Sequence, residues 1–327
     1  MIEAAPTGVK THQAPEQRRK SLRERLQHHL FRRNLALLLM ALPALLHIFI
    51  FKYATMFGII VAFKDYRIRD GILGSQWVGF KNFRFLFGTG QIINVIQNTV
   101  LFSSLFFVVG TIVSLLIAIL VYEIYTNRVT RFYQTTLFFP QFISWVVVTY
   151  FVYALLSGDN GLINNLLRFV GIAPMNWYYE PQYWWAILLS ASLWKGVGGG
   201  SLLYLAGILG IDPQYYEAAR LDGASKWQEI RYITLPLLVP VIVIQALIAI
   251  GYLFHSDFGL FYLVPRNTTV LYSATDVLDT FVYRALTSIG NVGMAAAAGL
   301  FQSIVGFFLV LLSNWLVRRW DPERALF

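Results

Sequence analysis

The chain has 327 residues, 57% of them hydrophobic and only 13% charged, with a mean hydropathy of +0.57. A soluble domain carries about 25% charged residues, so lipid is the expected solvent for most of this chain. The absence of cysteine excludes disulfides and thiolate metal sites, and the net charge of +9 is weighed first as membrane topology, with no nucleic-acid partner expected.

Residues 1–34 are polar and basic, with Arg18, Arg19, Lys20, Arg23, Arg25, Arg32 and Arg33 ahead of the first apolar run. A tail held by anionic lipid is expected, with contact to a partner protein as the alternative. No small-residue cleavage site follows that run, so the start is not read as a secretory signal. Six later segments are apolar enough to cross a bilayer, which takes about 20 residues of helix. They are Leu35–Phe51 (with an extension through Ile60 left open), Asn98–Tyr122, Thr135–Leu156, Trp184–Ile208, Leu235–Phe254 and Gly293–Val317. The runs are continuously apolar and do not alternate with period two, which excludes a barrel. The expected fold is therefore an all-α integral membrane protein of six transmembrane helices, with 1–34 as a tail and 35–327 as one membrane domain.

An even number of spans puts both termini on one side. That side carries 16 Lys and Arg and the other carries nine, with Lys195 inside a span. The bias places both termini in the cytoplasm. Five of the nine, Lys64, Arg67, Arg69, Lys81 and Arg84, crowd one outward segment and strain the rule.

The cytoplasmic stretch 209–236 is punctuated as two short helices. Asp212 suits an N-cap and Pro213 the first helical position. Gly223 can stop the first helix by adopting positive φ. Ser225 with Gln228 three residues on reads as a capping box, and Pro236 is expected to open the next span. Ala218 and Ala219 allow close approach of another surface. Tyr215, Tyr216 and Trp227 offer apolar anchors, and Glu217, Arg220, Asp222 and Lys226 offer charges to a partner. Taken alone, the pattern fits a docking surface or a plain connecting hairpin.

The sequence Glu217-Ala218-Ala219, three residues, Gly223, then an apolar run to Leu235-Pro236 resembles the signature loop of ABC importer permeases. Asp222-Gly223-Ala224 extends the match. The resemblance covers nearly everything after the tail: Trp77 to Phe83, Asn98-Thr99 and Tyr204-Leu205-Ala206 are similar to sugar-importer permeases. Ala274 to Arg284, Gly299 to Gly306 and Ser313-Asn314-Trp315 are similar to the branch that imports oligosaccharides and polysaccharides. The resemblance implies a type I, sugar-permease-like fold in the bacterial cytoplasmic membrane. It implies that Glu217, Ala218, Ala219, Asp222 and Gly223 belong to coupling helices seated in an ATP-binding subunit. It also implies as partners a second homologous permease, two ATP-binding subunits and an extracytoplasmic substrate-binding protein, with an acidic, alginate-like saccharide as cargo. No GxxxxGK[ST] motif occurs in the chain. ATP and Mg are expected on the partners, with no cofactor or metal in this chain.

Polar residues inside spans are costly and mark pathways. Lys195, within Trp194-Lys-Gly-Val-Gly-Gly-Gly-Ser201, is the sharpest candidate for a cargo contact, the alternative being a lysine that snorkels or pairs with the partner permease. The glycines would let a helix or a ligand approach. Gln141, Trp145, Tyr150 and Tyr153 could bond and stack on sugar rings, although helix packing also explains the aromatics. Gln245, His255, Asp257 and Gln302 are further candidates, and His47 reads as an interior histidine. Asp276 and Asp279 are expected to cap a helix or pair with Arg284, not to catalyse. No catalytic constellation emerges. A secondary transporter would want carboxylates inside its spans for ion coupling, and the six segments offer none.

Overall fold

The computed structural model describes residues 34–322 apart from 36, 89, 125–128, 159 and 289. The basic tail, except Asn34, lies outside the described residues. The chain divides after Gly58 into two units. The first holds most of helix α1, Leu37–Phe63, which runs beyond the expected Phe51. It loosens into a π turn at Phe49–Tyr53 and a 3-10 stretch at Ala54–Phe63. Thr55 Oγ1 donates to the Phe51 and Lys52 carbonyls at 3.0 and 2.8 Å, and such back-bonding bends helices. His47 is exposed and its ring lies 4.8 Å from that of Phe51, so the expected interior histidine is not interior in this chain.

The second unit, from Ile59 onward, is built on long helices. Strands β1 (Lys64–Asp65) and β2 (Gln76–Trp77) form a small antiparallel ribbon pairing Lys64 with Trp77. Helix α2 (Lys81–Gly88) leads into α3, Gln91–Glu123. Then come α4 (Val129–Phe138), α5 (Trp145–Leu156), α6 (Leu162–Phe169) and α7 (Trp184–Leu209). Helix α8 (Pro213–Leu221), α9 (Lys226–Gly251), α10 (Leu278–Thr287) and α11 (Val292–Trp320) complete the chain.

Five helices, α1, α3, α7, α9 and α11, are long and apolar enough to cross a bilayer as single helices. The sixth expected span is not one helix. Its two halves, Phe132–Phe142 and Trp145–Leu156, are bent by 98°. The sequence gives the reason. Pro140 lies in a 3-10 turn, Phe139–Phe142, and lacks the N–H that would continue the ladder. Ser144 then takes extended dihedrals and its side chain accepts from the Val147 N–H as a new N-cap. The fifth span also differs from expectation. Pro236 sits at the first positions of the α-helical segment Leu235–Gly251, as expected, but that segment continues α9 from Lys226 through a π turn, Ile230–Thr234. The widened turn gives the proline ring room without ending the helix.

The helices pack where side chains are small, the usual solution when lipid supplies no hydrophobic drive between helices. A Cβ at Gly198 of α7 would collide with the Leu137 carbonyl of α4, and one at Gly200 would press on Ser114 Oγ of α3. Gly306 of α11 faces the Gly251 carbonyl of α9 in the same way. Three apolar clusters surround these crossings. One gathers Phe102, Trp184, Leu188, Leu260 and Val264, with Phe102 stacked on Trp185 at 3.9 Å. A second gathers Leu86, Ile92, Leu278 and Met294, and a third Ala118, Tyr204, Ile208 and Leu238.

Gly198 is the most restrictive of these contacts, since backbone rather than a movable side chain fills the space. Gly198→Ala is expected to destabilise the folded chain by about 1–3 kcal/mol through overpacking. A thermal melt in detergent should place it below Gly196→Ala, where a Cβ meets nothing within 4 Å.

Candidate functional site: a welded hairpin and a closed helix break

The hairpin between α7 and α9 is built as its punctuation predicts. Asp212 Oδ1 accepts the Gln214 N–H at 3.0 Å. At the other end of α8, Gly223 has φ +81°. The Gly223 N–H reaches the Arg220 carbonyl at 3.1 Å and the Ala224 N–H reaches the Ala219 carbonyl at 2.9 Å. That pair of bonds is a Schellman stop, for which a left-handed glycine is the natural residue. Gln228 Oε1 then accepts from both the backbone N–H and the hydroxyl of Ser225, at 2.7 and 2.9 Å.

Glu217, Ala218, Asp222 and Gly223 are exposed and Ala219 is half-buried, while Tyr215, Leu221 and Trp227 stand out as exposed apolar side chains. Of the residues expected to face a partner, one is buried and two, still half exposed, are engaged within the hairpin. Tyr216 is buried, its hydroxyl 3.0 Å from Thr234 Oγ1 and its ring beside Tyr122 of α3. Arg220 and Lys226 turn inward to Glu229, which is 3% exposed. Arg220 donates to its two carboxylate oxygens at 2.9 and 3.3 Å, and Lys226 donates at 3.1 Å. Lys226 also reaches Glu123, at the end of α3, at 3.1 Å. The Glu229 carboxylate holds the Arg220 guanidinium above the usual arginine range. Two cations and two carboxylates therefore weld α8, α9 and the end of α3 together. Sequence reasoning overlooked Glu229, although its i,i+3 relation to Lys226 was legible.

The pathway candidates fall into two groups. Lys195, Gln141, Trp145 and Asp257 come together at the break between α4 and α5. Lys195 Nζ donates to the Gln141 carbonyl at 2.7 Å and lies 5.4 Å from the Trp145 ring centre. Trp145 Nε1 donates to Asp257 Oδ2 at 2.6 Å. Asp257 Oδ1 in turn accepts the Gly259 and Leu260 N–H groups at 2.9 and 3.3 Å. The Gln141 side chain lies against Gly199 and the Trp145 ring against Gly259, positions where no Cβ would fit. Gln245 lines a cavity of about 420 Å³ with Phe106, Ser114, Gly199 and Gly200, next to this cluster along α7. Tyr150 is exposed elsewhere on α5, and Tyr153 lies under the Arg266 guanidinium, 4.2 Å from its ring centre.

His255 and Gln302 belong to a different cluster. Asp279 Oδ2 accepts the Ser256 N–H at 2.6 Å, its Oδ1 is 3.9 Å from His255 Nδ1, and Gln302 Nε2 donates to the Phe254 carbonyl at 2.8 Å. Asp276 pairs with Arg284 and accepts from Thr280 Oγ1. Burial pushes the Asp276 carboxyl up in spite of the guanidinium beside it. This acidic pair ties α10 to the segments that precede it and to α11.

The outward basic excess is also partly absorbed. Lys64 is buried and donates to the Ile72 and Leu73 carbonyls at 2.8 and 2.9 Å, and Arg67 lies 3.6 Å from Asp65. Arg69, Lys81 and Arg84 are exposed and make no ion pair among the described residues. Lys81 and Arg84 line an open cavity of about 760 Å³ with Tyr66, Asn82 and Asn291.

Residues 110–322 match the family described as the binding-protein-dependent transport system inner membrane component. The chain belongs to that family. It is a membrane permease of a sugar or polysaccharide ABC importer. It is 35% identical over 305 residues to the polygalacturonan/rhamnogalacturonan transport system permease protein YteP of Bacillus subtilis, covering 93% of this chain and 94% of that one. It is 31% identical to the Bacillus subtilis protein LplB, over 89% and 91% of the two chains. Among solved structures it is similar to a chain of a bacterial ABC transporter involved in the import of the acidic polysaccharide alginate. The identity is 34% and the TM-score 0.81, covering 90% of this chain and 99% of that one. A structure of the alginate transporter with an alginate pentasaccharide-bound periplasmic protein aligns at TM-score 0.80 and 34% identity, over 88% and 96%.

The weld makes an asymmetric prediction. Arg220→Ala leaves a buried carboxylate with one cation fewer, whereas Glu229→Gln leaves two cations that water can reach. Arg220→Ala is expected to loosen the hairpin more, read as several-fold faster limited proteolysis between α8 and α9 in the purified protein.

Proposed function

We propose that this permease forms half of the translocation pathway of an importer for an acidic oligosaccharide or polysaccharide. The cargo reading is supported by similarity at 34–35% identity to transporters of polygalacturonan and of alginate, both polymers of uronic acids. A second homologous permease forms the other half. ATP and Mg bind two separate ATP-binding subunits, and a binding protein delivers cargo from outside the cytoplasmic membrane. Both termini lie in the cytoplasm, as the excess of basic residues on their side of the spans favours.

The observation that carries the coupling mechanism is the welded hairpin. Glu217, Ala218, Ala219, Asp222 and Gly223 form a capped surface that meets the ATP-binding subunit. Small side chains let that subunit approach the α8 backbone, and Tyr215 and Trp227 anchor the rim. Because α9 continues from the hairpin into the membrane without a break, a displacement of the hairpin moves a span as well. ATP binding favours one of two states of the pathway and hydrolysis releases it, which is alternating access by differential stabilisation. Within the membrane, Lys195, Gln141, Trp145 and Asp257 form the polar wall that cargo passes, with Tyr150 as a separate aromatic contact.

Two experiments test this reading in the reconstituted transporter. Glu217→Lys inverts a docking charge and Gly223→Pro removes the left-handed stop. Each should lower cargo-stimulated ATP hydrolysis at least tenfold, about 1.4 kcal/mol of coupling, while the six spans stay folded. Full stimulation in both variants would reject the hairpin as the coupling element. Lys195→Met keeps length and removes charge. Uptake of uronate oligomers should fall several-fold and Lys195→Arg should restore part of it. Uptake equal to the parent's in Lys195→Met would remove Lys195 from the pathway.

A further inference from the structure

At the end of the second unit remote from the hairpin, α5 meets the loop that follows the π turn Gly259–Leu263. Arg266 and Asn267 in that loop have φ of 56° and 50°. Left-handed backbone is uncommon for side chains other than glycine and is unusual at two successive positions; such outliers cluster at functional sites. Here the conformation is held from several sides. The Arg266 N–H donates to the Leu263 carbonyl at 2.9 Å, and the Asn267 N–H to the Tyr262 carbonyl at 3.2 Å. Tyr272 donates its hydroxyl to Asn267 Oδ1 at 2.8 Å, and Thr268 Oγ1 donates to the Pro265 carbonyl at 2.8 Å.

This loop delivers the Arg266 guanidinium onto the face of Tyr153, 4.2 Å from the ring centre. Arg266 is exposed and makes no ion pair among the described residues. The guanidinium lies over the ring face, and its N–H groups make no hydrogen bond among the described residues. Those groups form a rigid fork that matches two carboxylate oxygens, and the stack orders the fork before any ligand arrives.

A second observation points to the same place. Tyr178, whose ring centre lies 5.9 Å from that of Tyr153, is 8% exposed, and its hydroxyl has no hydrogen-bond partner among the described residues. Burial pushes its phenol up to about 12, against the pull of the Arg266 charge. A buried hydroxyl without a partner is disfavoured, and this one belongs to the ring packed next to the Tyr153 platform.

We propose that Arg266, held over Tyr153 with the Tyr178 ring packed next to it, is a subsite for the carboxylate of an acidic sugar residue at the pathway end remote from the hairpin. The inference rests on the acidic-saccharide reading above and adds the residue that recognises the acid. A neutral sugar offers hydroxyl acceptors to the same fork but no charge to balance the guanidinium. Charge-assisted hydrogen bonds are about twice as strong as neutral ones, so the site selects uronic acids over their neutral counterparts.

The test uses the complete transporter in liposomes, with its binding protein loaded with a galacturonate trisaccharide. ATP hydrolysis is followed as a function of loaded binding protein. The parent must first respond to this trisaccharide; if it does not, the acidic-cargo reading fails, whatever Arg266 does. With a responding parent, Arg266→Gln should lower the maximal stimulated rate about tenfold and leave the half-saturating binding-protein concentration unchanged. Arg266→Lys, with charge but no fork, should fall between. Tyr153→Leu, which removes the platform, should fall in the same direction as Arg266→Gln. A raised half-saturating concentration with a normal maximal rate would overturn the proposal and make Arg266 a contact for the binding protein. Unchanged kinetics in Arg266→Gln would overturn it as well.

Discussion

Hydrocarbon offers no water to a freed carbonyl, so a helix broken within the membrane must find donors in its own fold. The break between α4 and α5 meets that constraint, and much of the second unit is arranged around it. Pro140 and the extended Ser144 free backbone groups, and the Lys195 ammonium takes up the Gln141 carbonyl. Lys195 can do so because Gly198 and Gly199 bring α7 into contact with the broken segment, one against the Leu137 backbone and one against the Gln141 side chain. On the far side of the break, Trp145 is fixed by Asp257, whose other oxygen caps the turn at Gly259–Leu263. The Lys195 charge is thus answered by a backbone dipole, one that the break at Pro140 to Ser144 releases from the helix ladder.

The two ends of the second unit meet different constraints with the same chemistry. At the hairpin end, the polar residues could be satisfied by water, yet Glu229 is buried and draws in Arg220 and Lys226. Such a network has modest value for stability when its cations are half exposed. Its larger effect is geometric, since it fixes α8 against α9 and, through Glu123, against α3. The left-handed Gly223 alone would give a turn with an independent short helix on one side. The ion pairs convert that turn into a surface that cannot move without moving spans. Outside this network the hairpin exposes Asp212, Glu217 and Asp222 along with Arg231, so the surface offered to a partner carries both signs of charge.

The spans and the caps were legible because each depends on residues near one another in sequence. Asp212, Gly223 and Ser225 with Gln228 act within three residues of their partners. The break in the third span had a local signal too, in Pro140 and Ser144, but a continuously apolar run masked it. Nothing local distinguished Tyr216 from Tyr215. What buries one and exposes the other is Tyr122 of α3 and Thr234 of α9, on either side of the hairpin in sequence. The grouping of Lys195 with Asp257, and of Arg266 with Tyr153, likewise depends on segments more than 50 residues apart, which periodicity cannot reveal.

That distinction changes how the basic residues at the end remote from the hairpin are valued. In sequence they form one cluster, Lys64 to Arg84, whose proximity along the chain suggests a common purpose. In the fold, Lys64 is spent on two carbonyls of its own ribbon and Arg67 lies beside Asp65. Arg69, Lys81 and Arg84 stay exposed to solvent, where salt screens their reach to about 8 Å. They can steer an anion but hold it weakly. Arg266, alone in its stretch of sequence, is the better-organised cation. Its backbone is held in a conformation few residues adopt, its guanidinium is ordered against an aromatic face, and a partnerless hydroxyl lies nearby. Charge density along the chain therefore locates where an anion is attracted. Where it would be recognised depends instead on how rigidly one fork of donors is presented, and only the tertiary contacts of Arg266 supply that.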